Sequence, residues 1–191
     1  MGQTDDLERV EVTSAAALEA WLAVHHGQAK SVWLVTWKKA VPEKYVDREA
    51  VLDALLAWGW IDGRRKVLDA ARTMQLISPR KQQAWAQSYK DRVARLEAAG
   101  RMQPPGQAAV VAGKASGLWD FFADVDALVV PDDLHAALAV RQAAALWEAS
   151  APSYRRNVLR WIKLAKTAPT RAKRVEAAAE AAATEAKLPQ M

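Results

Sequence analysis

Residues 57–66 read AWGWIDGRRK and residues 78–85 read SPRKQQAW. Both stretches combine aromatic rings with charge. In the first, the carboxylate of Asp62 lies between bulky apolar residues, just ahead of Arg64, Arg65 and Lys66. A carboxylate in that setting needs donors, and an arginine supplies them best. In the second, Arg80 and Lys81 precede a predicted helix, whose first amides have no intrahelical partner. Cations beside free N–H groups favour an anion. If the two strands between these stretches pair as a hairpin, Asp62, Arg64, Arg80, Lys81 and Trp85 converge at one end of a sheet. Aromatic walls with a few convergent polar groups are the usual make-up of a small-molecule pocket. The competing reading is structural, a helix-to-strand corner stapled by an Asp–Arg pair. Gly63 fits a bulge or a close backbone approach under either reading.

A second concentration of charge lies near the C-terminus. From Pro152 onward nine Lys and Arg face three Glu, whereas the other 151 residues carry eighteen cations and nineteen anions. On the helix predicted from Ser153, Arg156, Arg160 and Lys163 recur at i, i+4 and i+7. Lys166, Arg171, Lys173 and Arg174 extend this ridge. Such a row can neutralise successive phosphates, which makes nonspecific nucleic-acid binding the alternative function. An acidic protein surface, anionic lipid or plain solvent fits the same ridge.

Other chemistry finds little support. The chain has no cysteine, which removes disulfides, thiol catalysis and Cys-based zinc sites. His25 and His26 are adjacent and so diverge on a helix, without a partner at ligand spacing. Asp120, Asp124 and Asp126 lack the glycine and glutamate of a calcium loop. Neither phosphate-binding glycine motif nor a nucleophile elbow is present. No metal and no cofactor are expected. A binding protein is therefore preferred to an enzyme, with an enzyme acting on a small anionic metabolite as a further alternative.

The elements that position these residues follow from periodicity. Leu18, Trp21, Leu22 and His25 mark a helix from Thr13 or Ser14. SVWLVTWKK (31–39) is apolar on both alternating faces and reads as an interior strand. Asp47 caps a helix that ends at Gly59 in a left-handed C-terminal position. WIDGRRKVLD and RTMQLIS form two strands joined at Asp69–Ala71, and Pro79 ends the second. A helix from Gln83 to Gly100 follows, with Trp85, Tyr89, Val93 and Leu96 on one face. The segment 127–130 reads as a short strand, and helices are predicted near 132–149, 153–167 and 170–187. The fold class is α+β: a small antiparallel sheet with packed helices over 1–101, a connection over 102–131, and a helical module over 132–191. With 51% hydrophobic and 26% charged residues, the chain can bury a core without staples. The polar N-terminus and the short apolar runs predict a soluble, cytoplasmic protein without membrane insertion.

WLAVHH, WLVTWKK, GWIDGRRK, SPRKQQAW, RVARLEAAGRM and PSYRRNVLRWIKLAKTAPTRAKRV occur in this order along the chain. Together they resemble the YdeI/OmpD-associated, or bacteriocin-protection, family of bacterial proteins, with the last segment similar to its separately recognised domain. The resemblance implies an α+β part followed by a helical part. It also implies a role in resistance to bacteriocins or cationic antimicrobial peptides, and it implies no reaction.

Overall fold

The computed structural model of the chain describes residues 6–188 and divides into two compact units, 1–120 and 121–191. Unit 1 is built on a four-stranded sheet of order β1-β2-β4-β3. The strands are β1 (Arg9–Glu11), β2 (Val32–Trp37), β3 (Trp60–Val67) and β4 (Arg72–Pro79). β1 runs parallel to β2, while β4 is antiparallel to both β2 and β3. β2 is interior as its sequence predicts, and five of its six residues are buried. β1 was not expected: RVE buries only Val10, so it carries almost no periodic signal.

Helices α1 (Ala15–His25) and α2 (Arg48–Ala57) cover one face of the sheet. There Leu18, Leu22, Val51, Leu55, Val32, Leu34, Trp60 and Ile77 form the main core. Ser14 caps α1 by accepting from the Ala17 amide, and Asp47 caps α2 by accepting from the Glu49 amide. Gly59 follows α2 with a positive φ of 75°, a conformation that favours glycine.

Beyond the hairpin, α3 spans Gln87–Ala98 and α4 spans Pro104–Ala115. α3 begins at Gln87 rather than Gln83, because the segment before it runs extended through Ala86. The stretch 102–131 is largely folded. α4 sits within unit 1, turning Gly106, Val110 and Gly113 inward. Small residues permit this approach: a Cβ at Gly106 would overlap the Ala57 carbonyl, and one at Gly113 would overlap the Trp85 indole.

Unit 2 is helical: α5 (Ala123–Asp126), α6 (Asp132–Val140), α7 (Ala144–Ala149), α8 (Pro152–Lys163) and α9 (Ala168–Ala183). Its buried side chains include Leu134, Leu138, Trp147, Val158, Leu159, Ile162 and Val175. Two expectations change here. Residues 127–130 form no strand, since Leu128 turns the backbone left-handed at φ 58°. The helix predicted over 132–149 breaks into α6 and α7, because Gln142 does the same at φ 54°.

Candidate functional site

The hairpin brings the two charged stretches together. Trp60 pairs with Pro79 in the β3–β4 register, and the Arg80 amide donates to the Gly59 carbonyl at 2.8 Å. The corner after α2 and the bend after β4 therefore lie side by side. Asp62 pairs with Ile77, and the register then slips between Asp62 and Arg65, a bulge at the position of Gly63. A Cβ on Gly63 would stand only 3.2 Å from the Leu76 carbonyl oxygen.

Asp62 accepts from the Tyr89 hydroxyl and, at 3.1 Å, from Gln75 Nε2. Burial, together with the hydrogen bond to Asp62, pushes the Tyr89 hydroxyl well above its ordinary range. Arg80 lies beside this pair. Its guanidinium is 3.6 Å from the ring centre of Trp85 and 5.2 Å from that of Tyr89. Nη2 donates to the carbonyls of Gln83 (3.3 Å) and Ala84 (3.0 Å). Nε and Nη1 are buried and have no acceptor among the described residues. Burial lowers the Arg80 pKa to about 10, against the opposing pull of Tyr89 and Asp62. Trp85 is held from behind: its ring lies 5.0 Å from that of Trp119, and its amide donates to Leu118 at 3.0 Å.

Of the five residues singled out in the sequence, Asp62, Arg80 and Trp85 come together and two do not. Arg64 lies beyond the bulge, 5.5 Å over the Trp33 ring, on the face of the sheet away from α1 and α2. Lys81 is exposed, and its amide donates to Gln83 Oε1 at 2.7 Å. The bulge turns Arg64 away, and the bend at 80–81 points consecutive side chains apart. Tyr89 and Gln75 take the vacated roles. Tyr89 read only as a core position of its helix, and Gln75 as one polar residue in a strand.

A second buried cluster escaped the sequence reading altogether. Asp53 on α2 is only 4% exposed and is met by three arginines. Arg95 binds it with both terminal nitrogens at 2.8 and 3.0 Å, Arg92 donates to Oδ1, and Arg101 approaches Oδ2 at 3.4 Å. Burial alone would raise the Asp53 pKa, but the hydrogen bonds from Arg95 and Arg92 outweigh it and hold the carboxyl below its ordinary value. Arg92 also binds Glu49 at 2.5 Å, and Arg101 binds Glu19 at 3.4 Å.

Residues 10–109 match the model of a domain of unknown function (DUF8412), a span of more than half the chain. The chain belongs to the DUF8412 family. Residues 127–185 match a second model, "Bacteriocin-protection, YdeI or OmpD-Associated" (OmdA), the family to which the sequence motifs pointed. No curated protein and no solved structure matches the chain.

The OmdA segment contains the basic ridge, and there most of its cations meet carboxylates. Arg156 and Arg160 each stand 3.9 Å from Asp126, Lys163 is 2.5 Å from Asp124, and Arg171 binds Asp133 through two nitrogens at 2.7 and 3.0 Å. Arg174 instead donates to the Trp161 carbonyl and stacks 5.0 Å over its ring. A phosphate chain would have to compete with these contacts. In the DUF8412 segment, His25 stacks on Trp21 at 4.7 Å and its Nδ1 bonds the Trp21 carbonyl, a local helix contact. Among the described residues, no group of three or more His, Cys, Asp or Glu side chains could hold a metal ion, and no helix is long and apolar enough to cross a membrane.

Proposed function

We propose that this DUF8412/OmdA protein is a non-enzymatic binding protein that recognises a small anionic ligand through Arg80. It serves resistance to bacteriocins or cationic antimicrobial peptides from the cytoplasm. The observation that carries this reading is the pair of buried Arg80 donors, Nε and Nη1, that have no acceptor among the described residues. A guanidinium whose pKa falls from 12.5 to about 10 on folding costs on the order of 3 kcal/mol. Stacking on desolvated rings returns about 2 kcal/mol or slightly more. The hydrogen bonds from Nη2 to the Gln83 and Ala84 carbonyls add to that return, yet two of the donor groups stay idle. Buried donors without acceptors call for an explanation, and a ligand anion supplies one. The basic net charge of +5 disfavours direct capture of a cationic peptide, so protection is indirect.

The test is a thermal-shift panel of small anions, including inorganic phosphate, pyrophosphate, citrate and nucleotides, on the intact chain and on Arg80→Leu. A ligand at about one hundred times its Kd stabilises by about 2.7 kcal/mol. The reading expects one class of anion to raise the Tm of the natural chain and leave Arg80→Leu unmoved. A panel without any response, or an equal response in both proteins, contradicts it. Turnover of the stabilising compound would replace the binder by a catalyst. For the physiological role, a sensitive strain expressing Arg80→Leu should lose the bacteriocin tolerance that the natural chain confers.

A further inference from the structure

Arg80 is enclosed by neighbours that are held with unequal firmness. On its C-terminal side Trp85 is 1% exposed, packs its indole on Gly113 and Trp119, and donates its amide to Leu118. Tyr89 belongs to α3 and is tied to Asp62. On its N-terminal side the chain leaves β4 at Pro79, and the Arg80 amide is fixed on the Gly59 carbonyl. Residues 81–84 cross between these anchors in neither helix nor strand, with Lys81, Gln82 and Gln83 exposed. Inside this segment the Lys81 amide donates to Gln83 Oε1. Among the described residues, the segment makes no backbone–backbone hydrogen bond to the rest of unit 1. What ties it down is Arg80 itself, whose Nη2 donates to the Gln83 and Ala84 carbonyls at 3.3 and 3.0 Å.

A guanidinium offers an oxyanion two forks, Nε with Nη2 and Nη1 with Nη2. Both use Nη2, the nitrogen that the segment holds. Nε and Nη1, the second member of each fork, are buried and have no acceptor among the described residues. The Gln83 and Ala84 carbonyls therefore take donors that a bidentate anion needs, and neither fork can be engaged while both carbonyls stay in place. A cap that served the fold alone would leave no donor behind it, and this one leaves two. We propose that residues 81–84 form a strap that closes the Arg80 site with two of its own carbonyls and is displaced by the incoming anion. The proposal rests on the reading of Arg80 as an anion-binding residue. The closed strap is a competitor, so the affinity measured is the intrinsic one reduced by the fraction of molecules whose strap is open. Any change that loosens the strap should tighten binding.

The experiment follows hydrogen exchange of the Arg80 Nε–H by NMR in the intact chain, at urea concentrations below the unfolding transition. A strap that opens locally exposes little surface, so this exchange should hardly depend on urea, while the amides of β2 exchange faster as urea rises. Gln83→Gly removes the Oε1 bond and frees the strap backbone at an exposed position. It should speed the Nε–H exchange about fivefold or more and leave the β2 amides unmoved. The same variant should lower, by a similar factor, the half-saturating concentration of whichever of phosphate, pyrophosphate, citrate or nucleotide raises the Tm. Nε–H exchange that climbs with urea alongside β2, or an anion response no tighter in Gln83→Gly, overturns the strap. Local opening with no anion response in either protein overturns the displacement through failure of the Arg80 reading. The exchange data tell that failure from a strap that never opens.

Discussion

The Asp53 and Arg80 clusters both place charge in the interior of unit 1, and they differ in how completely that charge is satisfied. Around Asp53 both carboxylate oxygens receive guanidinium donors, and Glu49 and Glu19 occupy the outer arginine groups. Around Arg80 the carboxylate is already engaged by Tyr89 and Gln75, and the cation has two buried donors without acceptors. The first arrangement is what holding α2, α3 and the residues after α3 together requires. The second offers the fold little and leaves donors for something else. A buried charge is thus assigned to stability or to recognition by counting what remains unmatched around it.

Breaking the first cluster should have the largest effect. Asp53→Ala takes the carboxylate acceptor from Nη1 of Arg92, which has only 12% side-chain exposure and keeps the Glu49 carboxylate on Nη2 alone. Losing one partner of such a pair costs about 3–5 kcal/mol, readable as a lower denaturation midpoint in urea. Acid removes part of the same contribution. The folded-state pKa of Asp53 is depressed, so its stabilisation is fully present above the ordinary carboxyl range and disappears as pH falls through the lowered value. Unfolding followed from pH 7 downward should show a loss below about pH 4 that is absent in Asp53→Asn.

An intermediate effect is expected from Gly113→Ala. The added methyl collides with the Trp85 indole, an overpacking that costs about 1–3 kcal/mol. It should also disturb the Arg80 stack and weaken any anion response while sparing the Asp53 cluster, so the stability curve should lie lower at every pH while the amount of stability lost on acidification stays the same. The smallest change belongs to Arg80→Leu. Its stability should remain within about 1 kcal/mol of the natural chain, because the burial cost offsets most of what the ring stacking and the two Nη2 hydrogen bonds contribute.

Much of unit 1 was legible because its elements are strongly patterned. The both-face apolar run of β2, the Asp47 cap, Gly59 and Pro79 fixed the hairpin and its neighbours, and with them the juxtaposition of Asp62 and Arg80. Side-chain direction was not legible. One bulge residue sends Arg64 to the opposite face, and hydrophobic spacing cannot foretell a register slip. Tyr89 was hidden by its amphipathic role, since a core position and a hydroxyl donor look alike in sequence. The Asp53 cluster did leave a trace: VLDALLA places a carboxylate inside an apolar run, and RVARLEAAGR supplies arginines at 92, 95 and 101. The breaks at Leu128 and Gln142 left none, because neither residue type ordinarily adopts a left-handed backbone.

The most direct test of the contrast is the unfolding free energy of Arg80→Leu beside that of Asp53→Ala, both from urea denaturation at neutral pH. The account predicts a change within about 1 kcal/mol for Arg80→Leu and a loss of about 3–5 kcal/mol for Asp53→Ala. A loss at Arg80 as large as that at Asp53 would make Arg80 a structural staple and remove the ground for a ligand site there.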